Sequence, residues 1–402
     1  MKVLVVHNRY RSLTPSGENQ VVDSDIAAMR ERGVTVVPYI RDSDEIESWS
    51  PAKQASLAVL PTYSRKSVHD IRSLIADDRP DVLHLHNPYP LVSPAVINVA
   101  VQAGIPVVQS VHNHRHVCVK GIYFRDGKLC QDCLGKTIPW PAVAHGCYQD
   151  SRIRTVPMAT ALVVHRRTWR RVARYLALTP QMVTHLLSAG IPASRITVRP
   201  NTAPDPGPPD LDVGDGFLFA GRLSEEKGVS LLVDAWRRHP DQSLGTLTVL
   251  GDGPQRGLVE TLATERTDVR TLGRVAPAVV AEEMRATGAV VVPSTCPEAF
   301  PMVVVEAFAN GRPVIGTALG GLPGIVEPGV GSLVAPEVDA FATALADLPR
   351  LNTPAVRAAA RARYEQLYSP GVVHDQLLEI YDAVRMESSK RKSRPSETKS
   401  HT

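Results

Sequence analysis

Short apolar runs rich in β-branched residues alternate with helix-like segments along most of this 402-residue chain. Such runs are typical of central parallel strands, which are buried on both faces of a sheet. Strands that alternate with helices predict doubly wound α/β sheets. The runs are Val3–Val6, Thr35–Pro38, Val82–His86, Pro106–Val111, Tyr175–Leu178, Ile196–Val198, Phe217–Ala220, Thr246–Leu250, Ala289–Val292 and Val314–Gly316.

The series of runs is interrupted once, by a stretch rich in Pro, Gly and Asp that covers residues 201–215. Since such a composition favours loops, we predict an interdomain linker over 204–215. A chain of this length can bury two cores, which gives an N-terminal domain over 1–203 and a C-terminal domain over 216–369. A last helix is predicted over 370–386 and a disordered basic tail over 387–402.

Composition excludes several classes of protein. A hydrophobic fraction of 43% and a charged fraction of 21% are ordinary for a globular protein. The formal charge of +4 is small, and no Lys/Arg stripe interleaved with aromatic residues is present, so nucleic acid is not expected as a partner. We also find no signal-peptide pattern and no apolar window long enough to cross a membrane, and therefore expect a cytoplasmic protein.

The segment Pro293–Asn310 carries the strongest functional signal. It follows a predicted strand and reads as a loop and then a helix, with Glu298 on the loop and Glu306 within the helix. The N-terminus of a helix presents unpaired N–H groups and a positive dipole end, which suit a phosphate. Because apolar residues surround Glu306, its carboxylate needs a partner. Two surface glutamates are the plainer interpretation.

Two glycine-containing loops support an anion site in the second half. The loop GRLSEEKG places Arg222 just after a predicted strand and Lys227 near a helix start. An Arg–Lys pair can neutralise a diphosphate without a metal ion. In GDGP, over 251–254, glycines allow the backbone to approach a ligand closely. A solvated basic pair is the alternative for Arg222 and Lys227 taken alone.

Together these stretches resemble the retaining glycosyltransferases of family 4, which have the GT-B fold of two Rossmann-like domains facing a cleft. The resemblance rests on GRLSEEKG, GDGP, LGRV, EAFPMVVVE and ALGGLPGIVE in the second half, and on HNRYRSLTPSGEN, DVLHLHN and SVHNHRHVC in the first. It covers the chain to about residue 385. It implies an N-terminal acceptor domain, a C-terminal nucleotide-sugar domain and a last helix that crosses back to the first domain.

The resemblance also implies roles for individual residues. Glu298 and His112 would serve catalysis at the donor sugar, with Arg222, Lys227 and Gly17 at the diphosphate. The remaining members of the implied site are Glu306 at the ribose, Arg274 at the base, and the backbone of Ala299, Phe300, Pro301 and Met302 at the sugar hydroxyls. No cofactor is implied beyond the nucleotide diphosphate sugar. Where the family commonly has Gly, Gly and an acidic residue, this chain has Ala299, Thr202 and Gly324.

The resemblance thus implies hexosyl transfer, with retention, from a nucleotide diphosphate sugar to a hydroxyl acceptor on a glycan, a lipid-linked molecule or a small molecule. One alternative is a nucleotide-sugar epimerase or hydrolase on the same fold. A second alternative, from another class, is a non-catalytic nucleotide-sugar-binding subunit.

Two groups of residues invite a metal interpretation. His112, His114 and His116 alternate, but the predicted strand ends at Val111, so we favour the sugar-contact role for His112. Cys118, Cys130, Cys133 and Cys147 lie within a predicted insert over 118–147, and similar inserts occur in a subset of the family. Four such cysteines can hold a structural zinc, pair as disulfides or remain thiols, and all three alternatives stay open here.

A basic segment follows the insert. Arg166, Arg167, Arg170, Arg171 and Arg174 recur at near-helical spacing opposite aliphatic residues and Trp169. This pattern predicts either a basic amphipathic helix resting on the anionic inner face of the membrane or an ordinary helix with a solvated arginine face.

Overall fold

The computed structural model describes residues 1–12, 17–210 and 214–393, and only the backbone of 391–393. Within these ranges, eight strands lie in the first half of the chain. They are β1 (Lys2–Arg9), β2 (Thr35–Asp42), β3 (Val82–Leu85), β4 (Val107–Val111), β5 (Phe124–Arg125), β6 (Lys128–Leu129), β7 (Arg174–Ala177) and β8 (Ile196–Val198).

Six of these strands form one parallel sheet in the order β2-β1-β3-β4-β7-β8. Every residue of β3 and β4 is buried, as expected for central strands covered on both faces. Strands β5 and β6 pair separately as a two-residue antiparallel hairpin. The helices around this sheet are α1 (Gly17–Glu31), α2 (Pro51–Gln54), α3 (Arg65–Asp77), α4 (Ala95–Gln102), α5 (Trp140–Ala144), α6 (Arg152–Val164), α7 (Arg166–Trp169) and α8 (Pro180–Ser188).

The second half of the chain repeats this architecture. Its six strands form a parallel sheet in the order β11-β10-β9-β12-β13-β14. They are β9 (Asp215–Ala220), β10 (Leu247–Leu250), β11 (Val269–Gly273), β12 (Thr287–Val292), β13 (Val314–Thr317) and β14 (Gly331–Val334). The helices are α9 (Val229–Trp236), α10 (Arg256–Glu265), α11 (Pro277–Ala286), α12 (Met302–Ala309), α13 (Leu322–Ile325), α14 (Val338–Ala346), α15 (Leu348–Leu351), α16 (Pro354–Arg363) and α17 (Pro370–Ser393).

Two doubly wound sheets confirm the predicted fold class. In each sheet the chain order reverses around the first strand, β1 or β9, so polar loops from strands on both sides of it meet at the carboxyl edge. The loops singled out in the sequence all leave this edge. No helix in the described ranges is long and apolar enough to cross a membrane.

The last helix packs on the N-terminal sheet, although it follows the C-terminal one in the chain. Leu377, Ile380, Tyr381 and Val384 of α17 share a buried cluster with Val3 and other residues of β1, α1 and β3. The hydroxyl of Tyr381 lies 2.6 Å from Nδ1 of His84. Hence α17 completes the core on one face of the first sheet.

The chain also differs from expectation in two places. The tail predicted to begin at residue 387 is helical as far as Ser393, because α17 continues past Met386, and residues 394–402 lie outside the described ranges. The predicted basic amphipathic helix is also wrong in its extent. His165 separates α6 from the four-residue α7, and Arg174 already belongs to β7. Nε2 of the buried His165 hydrogen-bonds the carbonyl oxygen of Thr62 at 2.6 Å. This bond fixes the residue at which α6 ends and α7 begins.

Candidate active site

Glu298 lies on the loop between β12 and α12, at the carboxyl edge of the C-terminal sheet. Its side chain is 11% exposed, and each of its oxygens has a partner. Oε2 accepts a hydrogen bond of 2.5 Å from Nζ of Lys227, and Oε1 accepts one from the hydroxyl of Ser294. These two partners fix the carboxylate in one orientation.

Lys227 and Glu298 form a charged pair across two loops. Burial alone would lower the pKa of the Lys227 ammonium, but the carboxylate of Glu298 outweighs it and the pKa lies above its ordinary value. The ammonium therefore stays charged through the neutral range. A fixed positive charge at this edge of the sheet is suited to a diphosphate.

The two loops that carry this pair touch through their backbones. Gly228 has a φ of +72°, and a Cβ there would lie 1.8 Å from the carbonyl oxygen of Pro293. The N–H of Thr295 donates to the carbonyl of Glu226 over 3.1 Å. Any side chain at position 228 would therefore separate Lys227 from Glu298.

Helix α12 begins beside Glu298 and leaves donors available. The N–H groups of Ala299, Phe300 and Met302 have no acceptor within the described part of the chain. Pro301, which has no N–H, precedes the first helical residue. Across the cleft, Gly17 starts α1, and a Cβ on it would come within 3.4 Å of Cγ of Met302. The first residues of α1 and α12 thus approach each other closely across the cleft.

Glu306 lies one turn into α12. It is partly buried, and no side chain or backbone group in the described ranges bonds its carboxylate. Burial raises the pKa of this carboxyl above its ordinary value. A carboxylate that is buried without a protein partner is suited to accept hydrogen bonds from the hydroxyls of a ligand.

Arg222 and Arg274 sit at the rim. Arg222 follows β9, is 56% exposed, and lies 4.0 Å from Oε1 of Glu226. Arg274 follows β11 and is exposed. Both side chains reach solvent at the carboxyl edge, where their guanidinium groups remain accessible to a ligand.

The N-terminal wall of the cleft contains buried histidines. Nδ1 of His86 lies 3.0 Å from Nε2 of His112, and their rings stack. Nε2 of His114 lies 3.1 Å from the carbonyl of Pro297, so this nitrogen carries the hydrogen. Burial lowers the pKa of His112 to about 3 and that of His114 to about 4. Both imidazoles are neutral at physiological pH, and His114 reaches the residue beside Glu298.

Two family models match the chain, one for each half. The model for the glycosyl transferase 4-like domain covers residues 16–202, and the model for glycosyl transferases group 1 covers residues 214–350. The chain belongs to the family-4 glycosyltransferases.

Characterised relatives and solved structures agree with this assignment. The phosphatidyl-myo-inositol mannosyltransferase of Mycobacterium leprae is 29% identical over 81% of this chain and 79% of its own length. A D-inositol 3-phosphate glycosyltransferase of Jonesia denitrificans is 30% identical, over 44% of this chain and 45% of its own. The chain is a glycosyltransferase.

Two solved structures share the fold over nearly all of both chains. Sucrose-phosphate synthase from Thermosynechococcus elongatus matches with a TM-score of 0.70 over 96% of this chain and 99% of its own, at 19% identity. An Anabaena protein, HepE, whose crystal contains UDP, matches with a TM-score of 0.63 over 95% and 100%, also at 19% identity. This glycosyltransferase has the GT-B fold.

Neither predicted metal interpretation is supported. Each histidine of the 112–116 stretch bonds a different partner, namely His86, Pro297 and Gln109. The four clustered cysteines are thiols, and burial raises the pKa of Cys147 to about 11. Among the described residues, no group of three or more His, Cys, Asp or Glu side chains is placed to hold a metal ion. Within the described ranges, Cys118, Cys130, Cys133 and Cys147 are thus not arranged as the ligand set that the structural zinc interpretation requires.

Sequence reasoning missed a second polar cluster on the N-terminal wall of the cleft. The hydroxyl of Tyr10 donates to Oε2 of Glu18 over 3.1 Å, and Nη1 of Arg115 lies 3.5 Å from the same hydroxyl. Burial raises the pKa of Glu18 to about 7, against the opposing charge of Arg115. Glu18 and Arg115 line a narrow cavity with His86 and His112. These residues are about 100 positions apart, and no local pattern connects them.

Gly324 has a packing explanation. A Cβ at this position would lie 2.4 Å from Oε1 of Gln181 and 3.0 Å from Cδ of Pro180. The glycine therefore allows α13 of the second sheet to approach α8 of the first. The glycine that departs from the family pattern is therefore explained by close packing between the two domains.

Proposed function

We propose that this glycosyltransferase moves a hexosyl unit, with retention, from a nucleotide diphosphate sugar to a hydroxyl acceptor. The observation that carries the proposal is the fixed Lys227–Glu298 pair beside the unpartnered N–H groups at the start of α12. A cation and free donors at a helix N-terminus bind a diphosphate, and an oriented carboxylate accepts hydrogen bonds from sugar hydroxyls.

In this proposal the N-terminal domain, 1–203, holds the acceptor and the C-terminal domain, 216–369, holds the donor. Glu306 receives the ribose hydroxyls because its buried carboxylate has no described partner. From its exposed position at the rim, Arg222 binds the diphosphate. Arg274, also exposed at the rim, contacts the base. Gly17 lets the start of α1 approach the phosphates.

The chemical step follows from this arrangement. As the bond to the sugar breaks, negative charge develops on the departing phosphate, where Lys227, Arg222 and the N–H groups of α12 stabilise it. The phosphate then takes the proton of the acceptor hydroxyl, and the acceptor oxygen forms its bond to the anomeric carbon on the face that the phosphate leaves, which gives retention. His112, neutral because its pKa is about 3, contacts the sugar without contributing charge. Positioning by both domains supplies most of the remaining acceleration.

The nucleotide proposal is tested by thermal unfolding with UDP, GDP, ADP and dTDP and their sugar conjugates. A ligand at 100 times its Kd raises the stability of the folded state by about 2.7 kcal/mol. We expect one diphosphate to shift the midpoint clearly. UDP is the first to test because the HepE crystal contains it. If no diphosphate shifts the midpoint, the donor site is wrongly assigned.

Product analysis separates transfer from its rivals. With donor and acceptor present, proton NMR of the anomeric signal should show the same configuration in donor and product. Release of free sugar or of an epimerised nucleotide sugar without acceptor would instead favour a hydrolase or epimerase. Nucleotide binding with no product under any condition would favour a binding subunit.

A peripheral contact with an anionic membrane face is part of the same proposal. Arg166, Arg167, Arg170 and Arg171 are all exposed on the N-terminal domain. Cationic side chains at such a surface attract anionic lipid head groups.

A further inference from the structure

A second cavity lies in the N-terminal domain, outside the donor cleft. We call it the insert cavity, because it lies between the insert over 118–147, the α6–α7 turn and the end of α8. Its volume is about 250 Å³. Leu162 and Ile191 form an apolar part of the cavity wall, and Trp169 lines the cavity where it borders the sheet. The charged residues in the lining are Lys136, Arg166 and Arg170.

The charged side chains that line the insert cavity are all positive. The described side chains that line the insert cavity include three cations and no carboxylate. Residues 151–204 contain nine arginines, no lysine and no Asp or Glu, so their formal charge is +9. Since the whole chain carries +4, all other residues together carry 4 − 9 = −5. Two of these arginines, Arg166 and Arg170, line the cavity together with Lys136, and this positive lining favours an anionic ligand.

The helix α6 and the insert, which help to form the cavity, also expose apolar side chains. Ile153 is 85% exposed, and Val156 and Val164 lie three and eleven positions further along α6, where they are 48% and 54% exposed. On the insert, Ile138 and Trp140 are each 61% exposed. Large apolar side chains grouped with arginines and exposed to water are typical of a surface that rests on a bilayer, whereas nucleic acid would leave them uncovered.

Trp169 provides an independent indication of a ligand. It is 5% exposed, and its indole N–H has no acceptor within the described part of the chain. A buried donor of this kind costs stability unless something bonds it. Trp169 lines the insert cavity and also the narrow cavity that contains His112. A phosphate oxygen in the insert cavity would satisfy the N–H beside the acceptor side of the cleft.

We propose that the insert cavity binds the phosphate of an anionic amphiphile whose chains remain in a bilayer under α6 and the insert. The acceptor is then a membrane lipid that bears both a phosphate and a free hydroxyl. The identity of the acceptor rests on the proposed transfer, but the binding of anionic lipid does not.

The first experiment measures co-sedimentation of the full-length protein with vesicles. Vesicles of phosphatidylcholine are compared with vesicles that also contain phosphatidylglycerol. We expect binding only to the anionic vesicles, weakened at least about tenfold by Arg166→Glu with Arg170→Glu, since each cation near the surface contributes about 1 kcal/mol. The matched control, Arg237→Glu with Arg238→Glu, changes charge equally on the C-terminal domain, where both side chains are exposed, and should bind as wild type does.

Equal binding to both kinds of vesicle, or equal loss in both double variants, would overturn the proposal. The same holds if inorganic phosphate or glycerol 3-phosphate binds but no vesicle does, because the cavity would then be a site for a soluble anion. Trp169→Phe keeps the ring and removes the N–H. It should weaken vesicle binding about fivefold, the value of one hydrogen bond of about 1 kcal/mol. Unchanged binding would remove the cavity from the proposal.

Fluorescence quenching tests the orientation. Of the four tryptophans, Trp140 is exposed, whereas Trp49, Trp169 and Trp236 are buried. Phosphatidylglycerol with brominated chains should quench the wild type, and Trp140→Phe should lose most of the quenching. Quenching that persists in this variant would place another surface on the bilayer.

A measurement of nucleotide binding distinguishes a failure of the lipid site from a failure of the proposed function. The thermal shift caused by the cognate diphosphate should be unchanged in the Arg166→Glu, Arg170→Glu variant. Vesicle binding by a wild type that shows no nucleotide shift would refute the donor site and leave the lipid site standing. A normal nucleotide shift without vesicle binding would refute the lipid site and leave the donor site standing.

Discussion

The two walls of the cleft handle charge in opposite ways. The C-terminal wall presents charged groups, with Lys227 paired to Glu298 and Arg222 at the rim. The N-terminal wall presents imidazoles that burial keeps neutral, among them His112 and His114. Under the proposed function, the C-terminal wall would face the donor and the N-terminal wall would face the acceptor. A diphosphate requires fixed positive charge, whereas a hydroxyl acceptor needs hydrogen bonds whose partners do not change charge near neutral pH.

The largest expected effect is on the charged wall. Glu298→Gln keeps the shape of the side chain but removes its charge, so turnover should fall by about two to three orders of magnitude, as for the loss of one preorganised transition-state contact. The Kd of the nucleoside diphosphate should change little. Steady-state kinetics and calorimetry measure the two quantities. Weaker nucleotide binding with normal turnover would reverse our assignment of Glu298.

Glu306→Ala should produce the complementary pattern. Loss of hydrogen bonds to a charged group costs about 1.5–3 kcal/mol, so the Kd of the nucleotide should rise by roughly 10- to 100-fold. The unfolding midpoint should not fall, because the variant removes a buried carboxylate whose pKa is raised. A variant with normal nucleotide affinity would contradict the ribose role.

The neutral wall should make the protein sensitive to mild acid. Burial lowers the pKa of His116 to about 4, whereas an unfolded histidine has a pKa near 6.5. Stability is therefore complete above pH 6.5 and falls as the unfolded state takes up protons below it. Between pH 6.5 and pH 5 each such histidine should cost about 2 kcal/mol, at 1.36 kcal/mol per pH unit.

His116→Gln tests this expectation, since glutamine hydrogen-bonds without titrating. Denaturant unfolding at several pH values should give a shallower loss of stability on acidification than in the wild type. His145→Gln is the control, because His145 lies on the insert and is more than one-third exposed on its side chain. Parallel curves for the wild type and His116→Gln would show that folded His116 takes up a proton as readily as it does in the unfolded chain.

The smallest effect should come from Arg222→Lys at the rim. The charge is kept, but the planar fork that can bind two phosphate oxygens is lost. We expect the nucleotide Kd to rise by about fivefold, or ~1 kcal/mol, with a stronger dependence on salt than that of the wild type. Calorimetry at two ionic strengths measures both. An unchanged Kd would leave Arg222 outside the donor site.

Local patterns predicted much of the fold. Runs such as Val82–His86 became central strands because their residues are apolar and β-branched. Strands β11 and β14 were missed. In β11, at one edge of the sheet, the exposed residues Arg270 and Leu272 alternate with buried or partly buried ones. In β14, at the other edge, every residue is only partly buried. These two edge strands carry too few buried residues to stand out from loops, whereas β2 and β8, at the edges of the first sheet, were predicted from their apolar runs.

The positions of the implied site residues were accessible from the sequence because each follows a strand. Their partners were not. Whether Lys227 pairs with Glu298 or with its neighbour Glu226 depends on the backbone contact at Gly228. The bond from His114 to Pro297 joins residues 183 positions apart, and only the packing of the two domains creates it. Burial of this kind also decides the protonation of the histidines.

The position of α17 has a consequence for biosynthesis. Residues of β1 are covered by Leu377 and Tyr381 of α17, which are synthesised more than 360 residues later. Asp25 of α1 is likewise closed off by Arg199 and by His374 of this helix. This face of the N-terminal sheet, which α1 covers in part, therefore lacks the rest of its cover until α17 has been translated. During that interval the nascent chain offers an apolar surface that a ribosome-associated chaperone would bind.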